Sequence, residues 1–173
     1  MICSIFSVDQ VGGMGTKGTL PWEHHAQDMK WFRELTEGHV VVMGRGTWND
    51  PKMPKPLPGR INFVVSNDRV STPGVHTIKG DIKEQLKRLA DMYPSKKIFV
   101  LGGPQLIQDA KSVTDFAYVT HRKGNFRCET RIDMYDYHTG MRAVSSCPST
   151  DKVLNFTIYM NVFTKAKLHE GLH

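Results

Sequence analysis

Apolar residues along this chain recur in two rhythms. Short runs rich in β-branched residues, bounded by Gly, Pro, Asn or Asp, occur at "ICSIFSV" (2–8), "HVVVM" (39–43), "INFVVS" (61–66), "GVHTI" (74–78), "KIFVLGG" (97–103), "DFAYVTH" (115–121) and "NFTIYMNVFTKA" (155–166), and each predicts a strand. The helical rhythm appears over 26–36, where Trp31, Phe32 and Leu35 share a stripe that ends at Gly38. It is clearest over 81–93, where Asp81 and Glu84 form a capping-box-like pair ahead of Ile82, Leu86, Leu89 and Tyr93. A short helix is expected from Arg45, and Pro104 suits the first position of another that runs to about Lys111. Four prolines in "PKMPKPLPGR" (51–60) predict a rigid, extended loop. Helices that alternate with strands predict an α/β domain: a mostly parallel central sheet with helices on both faces. The last two long strands have no predicted helix between them and should add an antiparallel edge.

Composition narrows the class. At 173 residues, with 39% hydrophobic and 23% charged residues, the chain reads as one soluble domain, 1–173. No apolar run has membrane-spanning length, and "ICSIFSV" is too short, and lacks the basic flank, for a signal segment. A cytoplasmic protein is expected. Cys3, Cys128 and Cys147 are odd in number and widely spaced, so they read as reduced thiols, with neither a disulfide framework nor a metal site. The net charge of +6 is scattered, without a basic arm or an aromatic RNA-binding motif. Nucleic acid is therefore not an expected partner, while small anions suit the mild positive field.

Gly13, Gly15 and Gly18 spell G-x-G-x-x-G directly after a strand. The dinucleotide fingerprint requires the third glycine to open a helix, and here Thr19, Leu20 and Pro21 follow instead. Residues 12–19 are read as a mobile glycine-rich loop. Two other glycine sites have better context. "VVVMGRGTW" leads from a buried strand into Gly44, Arg45, Gly46 and Thr47, and "IFVLGGPQL" leads into Gly102 and Gly103 before Pro104. Free N–H groups at two such helix starts could hold a dinucleotide from two sides, with Arg45 adding a phosphate contact.

Asp28 lies at i−3, i−4 and i−7 from Trp31, Phe32 and Leu35, on the stripe that the helix should bury. A first-turn carboxylate can serve the helix dipole or cap it. It can also point into an apolar cleft, where burial raises its pKa and lets it bind a cationic or amidine-like heterocycle.

"LPWEHHAQDMKWF", "VVMGRGTW", "KPLPGRINFVVS", "IFVLGGPQLI" and "VTHRKGNFRCETRID" occur in this order, and together they resemble the dihydrofolate reductase family over most of residues 1–133. The resemblance implies a twisted, mainly parallel eight-stranded sheet with about four helices. It implies NADPH as cofactor and 7,8-dihydrofolate as substrate, with hydride passing to pterin C6 and a proton to N5 from a loop-admitted water. Carried onto this chain, it makes Asp28 the acid facing the pterin and Thr120 its hydrogen-bond partner. Cys3 would offer a backbone carbonyl, Ile5 would stand beside the nicotinamide, and Phe32 would pack on the ring system. Arg60, with Lys55 and Arg33, would hold the glutamyl tail. Leu20 and Trp22 would close over the ring from a loop that includes Gly12, Gly13 and Gly15. Gly44, Arg45, Gly46 and Thr47 would meet the adenosine and pyrophosphate side, Ser66 and Asn67 the ribose phosphate. Leu101, Gly102, Gly103, Pro104, Gln105 and Leu106 would cover the pyrophosphate and nicotinamide, with a cis peptide between the paired glycines. A monomer is expected. Ile107 stands where the family often has a tyrosine, and Pro104–Gln105 replaces a more usual Gly-Arg pair. His24 and His25 read as solvent-facing. A pyrimidine reductase of the same fold would not need the Pro-Trp-then-Asp arrangement or the Arg60 clamp, and a silent binding relative would be expected to have lost Asp28, Arg60 or the glycine pair.

Overall fold

The computed structural model describes residues 1–15, 22 and 24–164. The strand Ile2–Val8 (β1) is buried at six of its seven residues, because it runs through the middle of an eight-stranded sheet. Val40–Gly44 (β3), Ile61–Val65 (β4), Val75–Ile78 (β5), Ile98–Gly102 (β6) and Phe116–Arg122 (β7) also join it, and all of these pairings are parallel. The strand order is β5-β4-β3-β6-β1-β7, after which Leu154–Asn161 (β10) and Met141–Pro148 (β9) extend the edge antiparallel. Continuous apolar runs belong to parallel strands covered on both faces, and each strand therefore feeds two cores.

One face of the sheet, with Phe6, Val8, Val42, Val100 and Val119, packs on the helices Ile82–Met92 (α3) and Pro104–Ala110 (α4) through Leu86, Leu89 and Ile107. The other face, with Cys3, Ile5, Val41, Met43, Phe99 and Tyr118, meets the helices Ala26–Thr36 (α1) and Arg45–Trp48 (α2) through Trp31, Phe32, Leu35 and Trp48. Period-two alternation sends Tyr118, Thr120 and Arg122 of β7 to the α1 side.

The predicted strands and helices fall where expected, within a residue or two at most ends. Four elements were not foreseen. Gly13–Gly15 (β2) pairs antiparallel with Thr130–Arg131 (β8), so the first part of the expected mobile loop is a strand. Residues 16–21 lie outside those described. The helix Met134–His138 (α5) and the whole of β9 intervene between β7 and β10, so these are not adjacent elements of one hairpin. β9 is an edge strand with almost every residue exposed, and a strand that buries nothing carries no hydrophobic rhythm. The predicted strand over 155–166 ends at Asn161.

Candidate active site

α1 begins at His25, whose Nδ1 accepts a 3.4 Å hydrogen bond from the Asp28 backbone N–H. Asp28 is therefore not the cap, and its side chain is free for other use. The carboxylate turns toward the sheet, where Oδ1 accepts a 2.9 Å hydrogen bond from Thr120 Oγ1. Ser7 of β1 pairs with Thr120 in register and also lies close enough to favour the charged carboxylate. Burial nonetheless wins and raises the Asp28 pKa above the usual carboxylate range, against the opposing effects of Thr120, Arg122, His25 and Ser7. Arg122 is the nearby cation that sequence reasoning passed over, although it stands at i+2 from Thr120 on the same face. Its Cζ lies 5.2 Å from the centre of the Trp22 ring and 5.9 Å from that of Phe126, which places the buried Trp22 beside it.

The residues of the apolar stripe behave as expected. Trp31 packs on Tyr118 and Phe156 at 6.1 and 4.8 Å between ring centres. Phe32 lies under the Arg60 guanidinium at 5.8 Å. Arg60 is anchored from behind. Its Nε donates to Thr36 Oγ1 at 3.2 Å and its Nη1 to Pro58 O at 2.8 Å, which leaves the far edge of the guanidinium available. The buried Asn62 fastens the proline loop, accepting from Leu57 N–H and donating to the carbonyls of Leu57 and Arg60. Burial lowers the Arg60 pKa, Glu37 opposes that, and the second cation, Arg33, adds to it. Lys55 is exposed at the head of the same loop.

Cys3 lies on the same strand as Ser7. It pairs with Phe116 in register, four residues along β1 from Ser7, so about 13 Å separates it from the level of Thr120. It is fully buried in the core. Ser7 is the β1 residue opposite Thr120, and Ile5 lies between it and Cys3 along the strand. Leu20 lies outside the described residues.

The two glycine sites converge. β3 and β6 are neighbours with Met43 opposite Gly102, and a Cβ added to Gly44 would stand 3.6 Å from the Gly102 carbonyl oxygen. A Cβ on Gly102, whose φ is +143°, would stand 3.2 Å from Thr47 Oγ1. The Gly102–Gly103 peptide is cis, as the resemblance implied. α2 starts from Gly44 and α4 from Gly103, and neither has a side-chain cap, so their first N–H groups remain free. Two uncapped helix starts over a close glycine contact fit the phosphates of a dinucleotide. Arg45 is exposed beside them, and Gly46 has nothing within 4 Å of an added Cβ. Leu101 is buried, Leu106 is half-buried, and Gln105 Nε2 is turned along its own helix to Asp109 at 2.8 Å. The Ser66 hydroxyl accepts from Asp68 N–H at 3.2 Å, and Asn67 is exposed. Gly12 and Gly13 have a local reason to be glycine: φ is +81° at Gly12, and a Cβ on Gly13 would meet Asp9 Oδ2 at 2.5 Å. Gly15 pairs with Thr130. Ile107, at the usual tyrosine position, is fully buried in the core and offers no polar group.

His25 is more than a solvent-facing residue, since its Nε2 lies 2.8 Å from Asp151 Oδ2 and ties α1 to the turn between β9 and β10. Nothing in the sequence pairs these two, 126 residues apart. Among the described residues no group of three or more His, Cys, Asp or Glu could hold a metal ion, and no helix is long and apolar enough to cross a membrane.

A parallel sheet whose strand ends carry a half-buried acid on one side and two uncapped glycine turns on the other defines an α/β enzyme with a nucleotide seat beside a polar-heterocycle seat. The family model for dihydrofolate reductase matches residues 1–165. The chain is 29% identical to the type 9 dihydrofolate reductase of Escherichia coli, covering 91% of each, and 31% identical to the dihydrofolate reductase of Bacillus subtilis, covering 84% of this chain and 83% of that one. Among solved structures it superposes on the Enterococcus faecalis dihydrofolate reductase complexed with NADP(H) and RAB-propyl, with a TM-score of 0.80 and 26% identity over 92% of this chain and 95% of the other. The chain belongs to the dihydrofolate reductase family. Its reaction is the NADPH-dependent reduction of dihydrofolate to tetrahydrofolate.

Proposed function

We propose the following division of labour for that reaction. Asp28 faces the pterin, and Thr120 orients its carboxyl through the 2.9 Å hydrogen bond, which is the observation that carries the reading. A carboxyl group with a raised pKa, aimed from a helix at a strand-end cleft, binds an amidine-like ring edge and biases it toward the protonated form. Protonation at N5 makes the ring an iminium, which accepts hydride far better than the neutral imine. Among the described residues no side chain supplies that proton directly, and a water steered by the field of Asp28 delivers it.

Ile5, Phe32 and Leu101 wall the ring site, and Cys3 on β1 offers its backbone carbonyl to the pterin. Arg60, backed by Arg33 and Lys55, holds the tail carboxylates. Leu20 and Trp22 exclude water from above. NADPH, when bound, supplies the hydride for pterin C6. Gly44, Arg45, Gly46 and Thr47 would hold it on one side and Leu101, Gly102, Gly103, Pro104, Gln105 and Leu106 on the other. Ser66 and Asn67 would meet the ribose phosphate, Ile5 the nicotinamide, and Gly12, Gly13, Gly15 and Leu20 the closing side. In this reading residues 1–173 are one domain that works as a cytoplasmic monomer without nucleic acid.

The test is the fall in NADPH absorbance when dihydrofolate is added to purified protein, run beside Asp28→Asn. Rapid oxidation that the variant lacks is expected. Equal rates in the two proteins would remove Asp28 from its place.

A further inference from the structure

Asp28 is the third residue of α1, so where its carboxylate points depends on how that helix begins. It begins on an uncommon cap. His25 takes the place that Ser, Thr, Asp or Asn ordinarily fills, and its Nδ1 accepts the Asp28 backbone N–H at 3.4 Å. An imidazole does this only while Nδ1 carries no proton. The ring proton of the neutral side chain then sits on Nε2, which faces Asp151 Oδ2 at 2.8 Å and donates to it.

Asp151 has one oxygen free for this bond. Its Oδ1 is spent inside the turn between β9 and β10, where it accepts from the Ser149 hydroxyl and, at 3.0 Å, from Val153 N–H. The Ser149 hydroxyl first, then Val153 N–H and His25, hold the Asp151 pKa down at about 2, so the carboxylate stays ionised. A second tie runs beside the first. Gln27 Oε1 accepts from the Thr150 backbone N–H at 3.0 Å and from its hydroxyl at 2.9 Å. The turn leads directly into β10, whose Phe156 pairs with Thr120. One sheet edge therefore holds the acid twice, its carboxyl through Thr120 and its backbone through the turn and His25.

We infer that Asp151 is a positioning residue for the reaction: it keeps the His25 proton on Nε2, leaves Nδ1 to cap Asp28, and so fixes the backbone from which the acid reaches the pterin. The inference rests on the reading of Asp28 as the pterin-facing group. A simple tie between turn and helix would be indifferent to which ring nitrogen carries the proton, and Gln27 with Thr150 already supplies such a tie.

Asp151→Asn separates the two roles. The amide keeps the shape of the side chain. Its oxygen stays with Ser149 and Val153, so its NH2 group faces His25 Nε2. Nε2 must then accept, the ring proton moves to Nδ1, and the cap on Asp28 is lost. Long-range 1H–15N correlation spectra in alkaline buffer should show the Nε2–H form of His25 in the parent and the Nδ1–H form in the variant. The variant's hydride-transfer rate should fall about tenfold and its KM for dihydrofolate should rise, with the NADPH dissociation constant unchanged. His25→Asn supplies an ordinary cap that needs no tautomer. In that background Asp151→Asn should cost less than about twofold in rate.

The inference is overturned if the parent ring carries its proton on Nδ1, if Asp151→Asn turns over like the parent, or if Asp151→Asn costs as much in the His25→Asn background as alone. Asp28→Asn, run alongside, separates the failures. If it is impaired while Asp151→Asn is normal, the positioning role alone falls. If it turns over normally, the reading of Asp28 falls and the positioning role with it.

Discussion

Thr120 and Asp28 meet through a 2.9 Å hydrogen bond although they stand 92 residues apart in the chain. The bond joins the carboxyl-terminal half of β7 to the first turn of α1, and so fixes the helix against the sheet. Asp28→Asn keeps the shape and can still accept from Thr120, but it removes the charge. Turnover near neutral pH should fall by about 10²–10⁴-fold, the range for loss of a positioned acid–base group. NADPH binding, measured by fluorescence, should change little. A variant with near-normal turnover would remove Asp28 from the reaction.

The same acid should leave a mark on stability. Burial raises its folded-state pKa above that of the unfolded chain. The folded protein therefore holds its proton longer, and the contribution of Asp28 to stability is full below the unfolded value of about 3.9. That contribution declines as pH rises through the folded-state pKa. At pH 7 the Asn variant should melt higher than the parent, and the difference should close below about pH 4. Melting curves at the two pH values measure this. A variant that melts lower at pH 7 would contradict the sign.

Much of this could be read from the chain itself, for physical reasons that also explain the failures. Parallel strands buried on both faces announce themselves as apolar runs, as "VVVM" does in β3. Asp28 was conspicuous because a charged residue interrupted the stripe of Trp31, Phe32 and Leu35. β9 was silent because an exposed edge strand imposes no pattern. β2 was misread because two of its three residues are glycine, which leaves Met14 as the single side chain to mark a strand. Arg122 shares a strand face with Thr120 and was within reach of the period-two pattern, whereas the His25–Asp151 pair depends on a turn that brings distant segments together, and local periodicity carries no trace of it.

Arg60 offers a separable test of the substrate side. Arg60→Leu removes a cation that Thr36 and Pro58 hold ready. Folate-type ligands should lose about 1.5–3 kcal/mol, the range for a hydrogen bond to a charged group. Asn62→Ala leaves the guanidinium but releases the loop that carries it. It should raise the KM for dihydrofolate with a smaller change in kcat. Calorimetric titration gives the first number and steady-state kinetics the second. An unaltered ligand affinity in Arg60→Leu would detach this residue from the tail carboxylate.

Arg122 bears on Asp28 electrostatically, because its positive charge opposes the effect of burial on the carboxyl group. Thr120, Ser7 and His25 act in the same direction, and Asp151, close to both His25 and Arg122, is the remaining charged neighbour. Arg122→Met removes one opposing influence, so the Asp28 pKa should rise further. The pH at which the hydride-transfer rate falls off should then move upward, with Arg122→Lys restoring part of the original profile. Stopped-flow rates across pH 5–9 test this, and superimposable profiles would show that Arg122 serves packing alone.

Gly13 tests the local argument about glycine. A Cβ there would stand 2.5 Å from Asp9 Oδ2 and 2.7 Å from Cys128 Sγ. The Asp9 carboxylate cannot retreat without leaving the backbone N–H groups of Val11, Gly13 and Phe126, which together hold its pKa below the usual value although burial pushes the other way. Either those hydrogen bonds break or β2 separates from β8. Gly13→Ala should therefore destabilise the protein by about 1–3 kcal/mol, the range for overpacking in a well-filled site. Gly46→Ala is the matched comparison. It places the same methyl group where nothing lies within 4 Å, inside a helix that favours alanine, and it should be neutral or slightly stabilising. Denaturant titrations of the two variants decide the matter. If Gly13→Ala proves as stable as Gly46→Ala, the crowding around Asp9 is not what keeps this position glycine.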